Sequence, residues 1–338
     1  MAESESVRRL AVFESLHNPH FRWFWLARLA ASASMEMGSV AQGWLVYQIT
    51  GSALALGWVS AARSVARLVL SLYGGALADR APRRQVLIWC RTAMLVNVLS
   101  IAVLILSGAI QVWHLVLYSF LSGVISSLMM PAQKAYLAEL AGRKNLLNAV
   151  SLTSVGMGLM GILGASLAGF VIEWVGAQGV YFFIAALYVW AIFALGRLPP
   201  SSSNNRRRAS VWADLREGVA YLKTVPIILP LLGIAVVRIL LGWSYRTLMP
   251  VYAKEVLQFD ARGLGILSAA PSIGSLLGSL TLASLGDFRG KGKILLIAGL
   301  VMGLALLGFS NTQHFVLSLV ALVIVGVSRN ATIITNQT

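Results

Sequence analysis

One carboxylate, Glu36, stands well inside an apolar stretch, whereas the other Asp and Glu residues fall near the ends of such stretches or between them. A carboxyl group held away from water favours its neutral form, and so can take up and release a proton near neutrality. Proton carriage is the chemistry this position offers. Counted at 1.5 Å per residue, Glu36 lies roughly 20 Å from the start of its helix. Arg63, in the next apolar stretch, counts to a similar depth. A proton-coupling role, a purely structural Glu36–Arg63 pair and direct contact with a substrate are therefore all open. Arg28, Arg67, Arg91, Arg238 and Arg246 also lie within apolar stretches. Arg28 and Arg91 are close enough to helix ends to be read as snorkelling to the interface. Arg238, nearly midway along its helix, is harder to dismiss.

Other chemistries find no support. The four histidines have no metal-ligand spacing, no phosphate-cradling loop occurs, and the single cysteine, Cys90, excludes an internal disulfide. No enzyme activity, metal or cofactor is expected. A net charge of +15 invites a nucleic-acid reading, but no polar domain exists to present a basic face. The positives sit in short loops, where they act on topology and anionic lipid. Residues 1–20 carry charges without an apolar core, so no signal peptide is read.

The elements that must position these residues are spanning helices. The chain of 338 residues is 58% hydrophobic and 12% charged, with a mean hydropathy of +0.78, far from soluble usage. Ten stretches provide the roughly 20 apolar residues that a bilayer demands: about 22–49, 53–78, 85–107, 112–134, 146–172, 176–198, 226–252, 262–286, 292–310 and 314–336. Turns alternate in charge. Thr50-Gly51-Ser52 and Gly176-Ala177-Gln178-Gly179 lack positives, whereas the opposite turns carry Arg80/Arg83/Arg84, Arg143/Lys144, Arg206/Arg207/Arg208 and Arg289/Lys291/Lys293. Only Lys254 and Arg262 break the pattern. It predicts a multi-pass protein of the cell membrane with both termini of the chain cytoplasmic. Tyr47, Trp58, Trp113 and Trp174 fall near outer ends, as belt aromatics do.

Residues 199–225 change texture. Pro199 to Asn205 followed by three arginines reads as a solvated linker. Trp212, Leu215, Val219 and Leu222 then recur at helical spacing, predicting an amphipathic surface helix. The linker separates a bundle of six helices, 1–198, from one of four, 226–338.

Between the second and third stretches lies Gly74-Gly75-Ala76-Leu77-Ala78-Asp79-Arg80-Ala81-Pro82-Arg83-Arg84. This turn resembles the signature loop of the major facilitator superfamily, G-x-L-x-D-R-x-G-R-R. Gly75, Leu77, Asp79, Arg80, Arg83 and Arg84 match, and Pro82 stands where the family has glycine. Ala283 to Lys293, with Asp287 and Arg289, restates the motif between the eighth and ninth stretches. Internal repeats of this kind build two transporter halves around a midplane site. Trp44 to Ser52, Pro131-Ala132 and Asn145 to Ala149 resemble the branch containing enterobactin exporters and macrolide-efflux-like proteins.

The resemblance implies an all-α membrane protein of the major facilitator fold with pseudo-two-fold halves. The family has twelve helices, so the second half is expected to be incomplete, giving six plus four. It also implies gating by Gly75, Asp79, Arg80, Arg83, Arg84, Glu139, Asp287 and Arg289. Arg83 or Arg80 should reach Glu139, and Asp287 should face the start of helix five near Asn148 and Ala149. A midplane cavity would draw on Met35, Gln42 and Trp44 of helix one and Arg238, Trp243, Tyr245 and Met249 of helix seven. Gly164-Ala165-Ser166-Leu167-Ala168-Gly169 resembles the antiporter glycine motif, with Ala165 replacing its proline. Ser119-Phe120-Leu121-Ser122-Gly123 lacks the arginine of the antiporter R-x-x-Q-G motif. The function implied is proton-linked export of drugs or siderophores by a monomer, with the bilayer, a small molecule and protons as partners. An uptake or lipid transporter without a proton cycle, and a non-transporting structural or sensor fragment, are the alternatives.

Overall fold

Asn18 opens the first long helix: its side-chain oxygen accepts from the backbone of His20 and Phe21, and Pro19 fills the first turn, where no N–H is needed. The helix closes 32 residues on, at Gly51, whose φ of 60° suits a residue without a Cβ and whose N–H returns to the Tyr47 carbonyl. The computed structural model describes residues 14–78, 81–201, 244–285 and 291–335. After a short turn at Glu14–His17 come α1 (Pro19–Thr50), α2 (Ala53–Ala78) and α3 (Arg83–Leu106). A helical run, Val112–Val175, follows, broken at Gly142 by a φ of 67° and ψ of 166°. It therefore forms two helices, α4 (112–141) and α5 (143–175). Then come α6 (Ala177–Gly196), the described part of α7 (244–251) with a π turn at Tyr252–Val256, α8 (Ala261–Leu285), α9 (Lys291–Asn311) and α10 (Phe315–Thr335).

These bounds lie within a few residues of the expected ones, except that α4 runs on to 141. Residues 202–243 lie outside the described part, and with them most of the expected linker, its amphipathic helix and the start of α7. Pro82 holds extended dihedrals, φ −54° and ψ 123°, so the chain cannot run helically from α2 into α3.

The same packing occurs twice. In the first half α2 meets α4 where Gly123 lies against the carbonyl of Arg63; in the second, α8 meets α10 where Gly326 lies against the carbonyl of Pro271. A Cβ at either glycine would strike backbone. Close approach of this kind is how helices associate where lipid removes the hydrophobic drive between them. α3 packs on α4, and α9 likewise on α10.

The core is asymmetric along the helix axes. At the end holding Gly51 and Gly176, one cluster draws on both groups of helices, including Met37, Val46, Tyr181, Ile184, Leu264 and Leu267. At the end holding Arg83 and Arg84, the cluster of Phe24, Leu87, Ala132, Tyr136 and Leu195 comes from the first group alone, among the described residues. Leu68, Leu296 and Leu300 are among many large apolar side chains left exposed, as a lipid-facing surface requires.

Candidate functional site

Glu36 faces α7. Arg246 Nη2 donates to Glu36 Oε2 at 2.8 Å, an ion pair joining the two groups of helices. Both side chains are largely buried, 14% exposed for the glutamate and 23% for the arginine. Arg329 of α10 lies within electrostatic range of Glu36, Tyr245 and Arg246. The Tyr245 hydroxyl is buried in the same neighbourhood, with no hydrogen-bond partner among the described residues. Such polar groups are costly in an apolar span and mark a site where a cavity or pathway needs them.

The Glu36–Arg63 pair, one of the alternatives that equal depth left open, does not form. Arg63 Nη2 instead donates to Gln42 Oε1 at 2.8 Å, and Gln42 Nε2 donates to Ser119 Oγ at 2.7 Å and the Leu115 carbonyl at 3.2 Å. Depth along a helix does not specify azimuth: six residues separate Glu36 from Gln42, about one and two-thirds turns, so they occupy different faces of α1. Through Gln42 the network links the Arg63 guanidinium to Ser119, in the stretch of α4 that resembles the antiporter motif without its arginine.

Beyond Glu36, α1 and α7 run side by side. A Cβ on Gly43 would lie 2.9 Å from Pro250. Tyr47 donates to Glu255 Oε1 at 2.9 Å, and Lys254 stands over the Tyr47 ring at 5.7 Å. Tyr47 is thus a buried contact between helix groups and not the belt residue its position suggested; Trp58, Trp113 and Trp174 are exposed. The same end is closed by α5 against α8. Gly169 abuts the Ala261 carbonyl, Gly265 abuts the Ala165 carbonyl and Gly161 meets Ser272. Arg262 bridges to Glu173 and stands 5.8 Å from the Phe170 ring. Lys254 and Arg262, the two exceptions to the charge pattern, are therefore both spent on contacts between the helix groups.

At the other end, Arg83 Nη1 donates to Glu139 Oε2 at 2.8 Å, tying α3 to α4. Arg84 donates through Nε to the Leu195 carbonyl at 3.0 Å and through Nη2 to the Gly196 carbonyl at 2.6 Å, covering the C-terminal end of α6. Gly75 lies in α2. Asp79, Arg80, Arg238, Trp243, Asp287 and Arg289 lie outside the described residues. Near the start of α5, the Asn148 side chain accepts from the Ser15 backbone at 3.2 Å. Of the cavity candidates, Met249 is buried at 2% exposure and Gln42 at 5%, whereas Met35 is 52% exposed. Trp44 lines a cavity at the Gly51 end with Gln48, Glu173, Gln178 and Asp260.

Arg28 and Arg91 do not snorkel. Arg28 turns inward to Gln133 Oε1 and lies 2.9 Å from Met157 Sδ. Arg91 is 5% exposed, with its guanidinium over the Tyr188 ring at 5.8 Å. Proximity to a helix end had suggested an escape route, but both residues point into their own bundle. Arg329 went unremarked in the sequence; an arginine 15 residues into an apolar span was the available signal.

The sequence matches the transmembrane secretion effector family over residues 10–338. The chain belongs to that family of major facilitator transporters. It is 25% identical over 280 residues to the staphyloferrin A transporter of Staphylococcus aureus, covering 80% of this chain and 69% of that protein. It is 26% identical over 311 residues to the enterobactin exporter EntS of Escherichia coli, covering 91% and 74%. The fold is similar to a bacterial homologue of the human lysosomal transporter Spinster, inward-facing and unoccupied, at a TM-score of 0.70 and 14% identity over 93% of this chain and 73% of that one. It is also similar to the nucleoside transporter NupG, at 0.74 and 13% identity over 94% and 81%. The chain is a multi-pass membrane transporter of small molecules.

Proposed function

We propose that the protein exports amphipathic small molecules, siderophores first among them, from the cytoplasm by proton-coupled alternating access. Its arginine-rich turns and both termini face the cytoplasm, residues 1–198 and 226–338 move as two units joined by 199–225, and the monomer is the working form. The observation that carries this reading is the Glu36–Arg246 ion pair between α1 and α7. A neutral carboxylic acid cannot form it, so a proton on Glu36 and the closed α1–α7 contact compete. With α1–α7 and α5–α8 packed together at the Gly51 end, the arrangement is that of a transporter closed to the outside. Release of the proton to the cytoplasm and formation of the pair then become one event, which readies the cytoplasmic side for substrate. Met35, next to Glu36 in sequence and half exposed, is the proposed polarizable wall of the substrate path.

The similarity to the staphyloferrin A transporter and to the enterobactin exporter supports siderophores as the class to test first. The test is transport in proteoliposomes loaded with a dye panel, a catecholate siderophore and a carboxylate siderophore. An imposed pH gradient should drive at least one of them against its concentration gradient, and collapse of the gradient by an uncoupler should stop it. Movement indifferent to the gradient would leave a facilitator in place of the antiporter.

A further inference from the structure

Away from the α1–α7 contact, the first bundle holds two guanidiniums whose positions the transport cycle leaves unexplained. Arg28 of α1 and Arg91 of α3 lie within electrostatic range of one another and line the same small cavity with Phe24, Leu87, Gln133 and Leu195. Arg91 is 5% exposed, and what covers one side of it is an aromatic ring, Tyr188. No carboxylate among the described residues pairs with either arginine. The described acids are engaged elsewhere: Glu14 faces Lys144, Glu36 binds Arg246, Glu139 binds Arg83 and Glu173 binds Arg262. Glu255 accepts from Tyr47, and Asp260 accepts from the backbone at the start of α8.

Two like charges brought together in a low-dielectric bundle repel and forgo hydration, a cost usually met by a counter-charge. Here the counter-charge is absent from the chain's described part, while the donors are in place. The Gln133 carbonyl oxygen accepts from Arg28, which leaves its amide N–H groups, as well as the Arg91 fork, as donors. Guanidiniums suit carboxylates and other small anions because their N–H groups form a planar fork. The space has room for about one water-sized particle. A planar carboxylate can insert one oxygen edge-on and chloride, wider than water, enters by a slight widening of the space, whereas the tetrahedral bulk of a phosphate or sulfate is kept out.

We propose that Arg28, Arg91 and Gln133 form a binding notch for a small monovalent anionic group, either chloride or the carboxylate of a larger ligand. The notch stands independently of proton coupling at Glu36. Occupied, it offsets one of the two guanidinium charges, relieves their repulsion and fixes α1 against α3 and α4.

The test is the melting midpoint of the purified full chain in detergent, starting in sodium methanesulfonate, whose headgroup exceeds the space. Sodium chloride or sodium acetate replaces that salt at constant ionic strength. A site-bound ligand at ~100 times its Kd multiplies the folded-to-unfolded ratio by about 100. We expect a saturable rise of the midpoint that is lost in Arg91→Met and weakened in Arg28→Met and Arg91→Lys. A rise with chloride assigns a free ion, and a rise with acetate alone assigns a ligand carboxylate. Chloride-35 line broadening in the wild-type protein, displaced by acetate, reads the same site if the methionine variants fail to fold. An unsaturable response, or equal rises in wild type and the arginine variants, would overturn the notch.

Discussion

Glu36 of α1 and Arg246 of α7 hold each other at 2.8 Å across the boundary between the two helix groups, and this pair is the first of a file of contacts that continues through Gly43–Pro250 and Tyr47–Glu255. Each contact lies nearer the Gly51 end than the last. Among the described residues, the pair is the innermost of these three contacts. Under the proposed coupling, a proton on Glu36 would act on a helix crossing at this pair.

If this file of contacts opens during transport, fixing it should arrest the cycle. With Cys90 replaced by alanine, Gly43→Cys and Pro250→Cys place two thiols across the α1–α7 contact. Oxidation should cross-link them and abolish transport, and reduction should restore it. Full transport by the cross-linked protein would contradict alternating access at this contact.

Opening also requires α5 to leave α8. Glu173→Gln removes the partner of Arg262 at the Gly51 end. The variant should populate the outward-open state several-fold more, because a contact of about 1 kcal/mol shifts a two-state equilibrium by that much. Labelling of an introduced Ser272→Cys, on the face of α8 that meets Gly161, by an impermeant thiol reagent measures it; unchanged labelling rates would show that the bridge is not part of the closure.

Arg83 and Glu139 are only partly exposed, at 20% and 28% of their side-chain surface. A double-mutant cycle of Arg83→Ala with Glu139→Ala should give a coupling of about 0.5–1 kcal/mol in thermal stability. A coupling near zero would make the pair an incidental surface contact.

The glycine contact between α8 and α10 has its own control. Gly326 lies against the Pro271 carbonyl, whereas a Cβ at Gly299 would meet nothing within 4 Å. Gly326→Val should cost about 1–3 kcal/mol through forced separation of the helices, while Gly299→Val should melt within a degree or two of wild type. Equal stability of the two variants would refute the close approach.

Much of this was legible in the sequence, because apolar runs of bilayer length and turn residues such as Gly51 and Pro82 act locally. Helix ends were therefore found within a few residues. The site was legible in its residue types and not in its pairings. Glu36 stood out as a buried acid, but its partner depends on which face of α1 meets which helix, and residues 210 positions apart leave no local trace. Lys254 and Arg262 looked like exceptions to a topology rule for the same reason: their partners, Tyr47 and Glu173, sit on helices of the other group. Arg91 was misjudged because distance from a helix end says nothing of the direction a side chain takes.

The most direct measurement concerns Glu36 itself. Glu36→Gln keeps the shape and hydrogen-bonding capacity of the side chain but cannot carry a proton. In proteoliposomes, the variant should lose pH-gradient-driven accumulation of the transported dye or siderophore while retaining substrate exchange across the membrane without a gradient. Accumulation by Glu36→Gln as strong as that of the wild type, and as sensitive to an uncoupler, would contradict proton coupling at the Glu36–Arg246 pair.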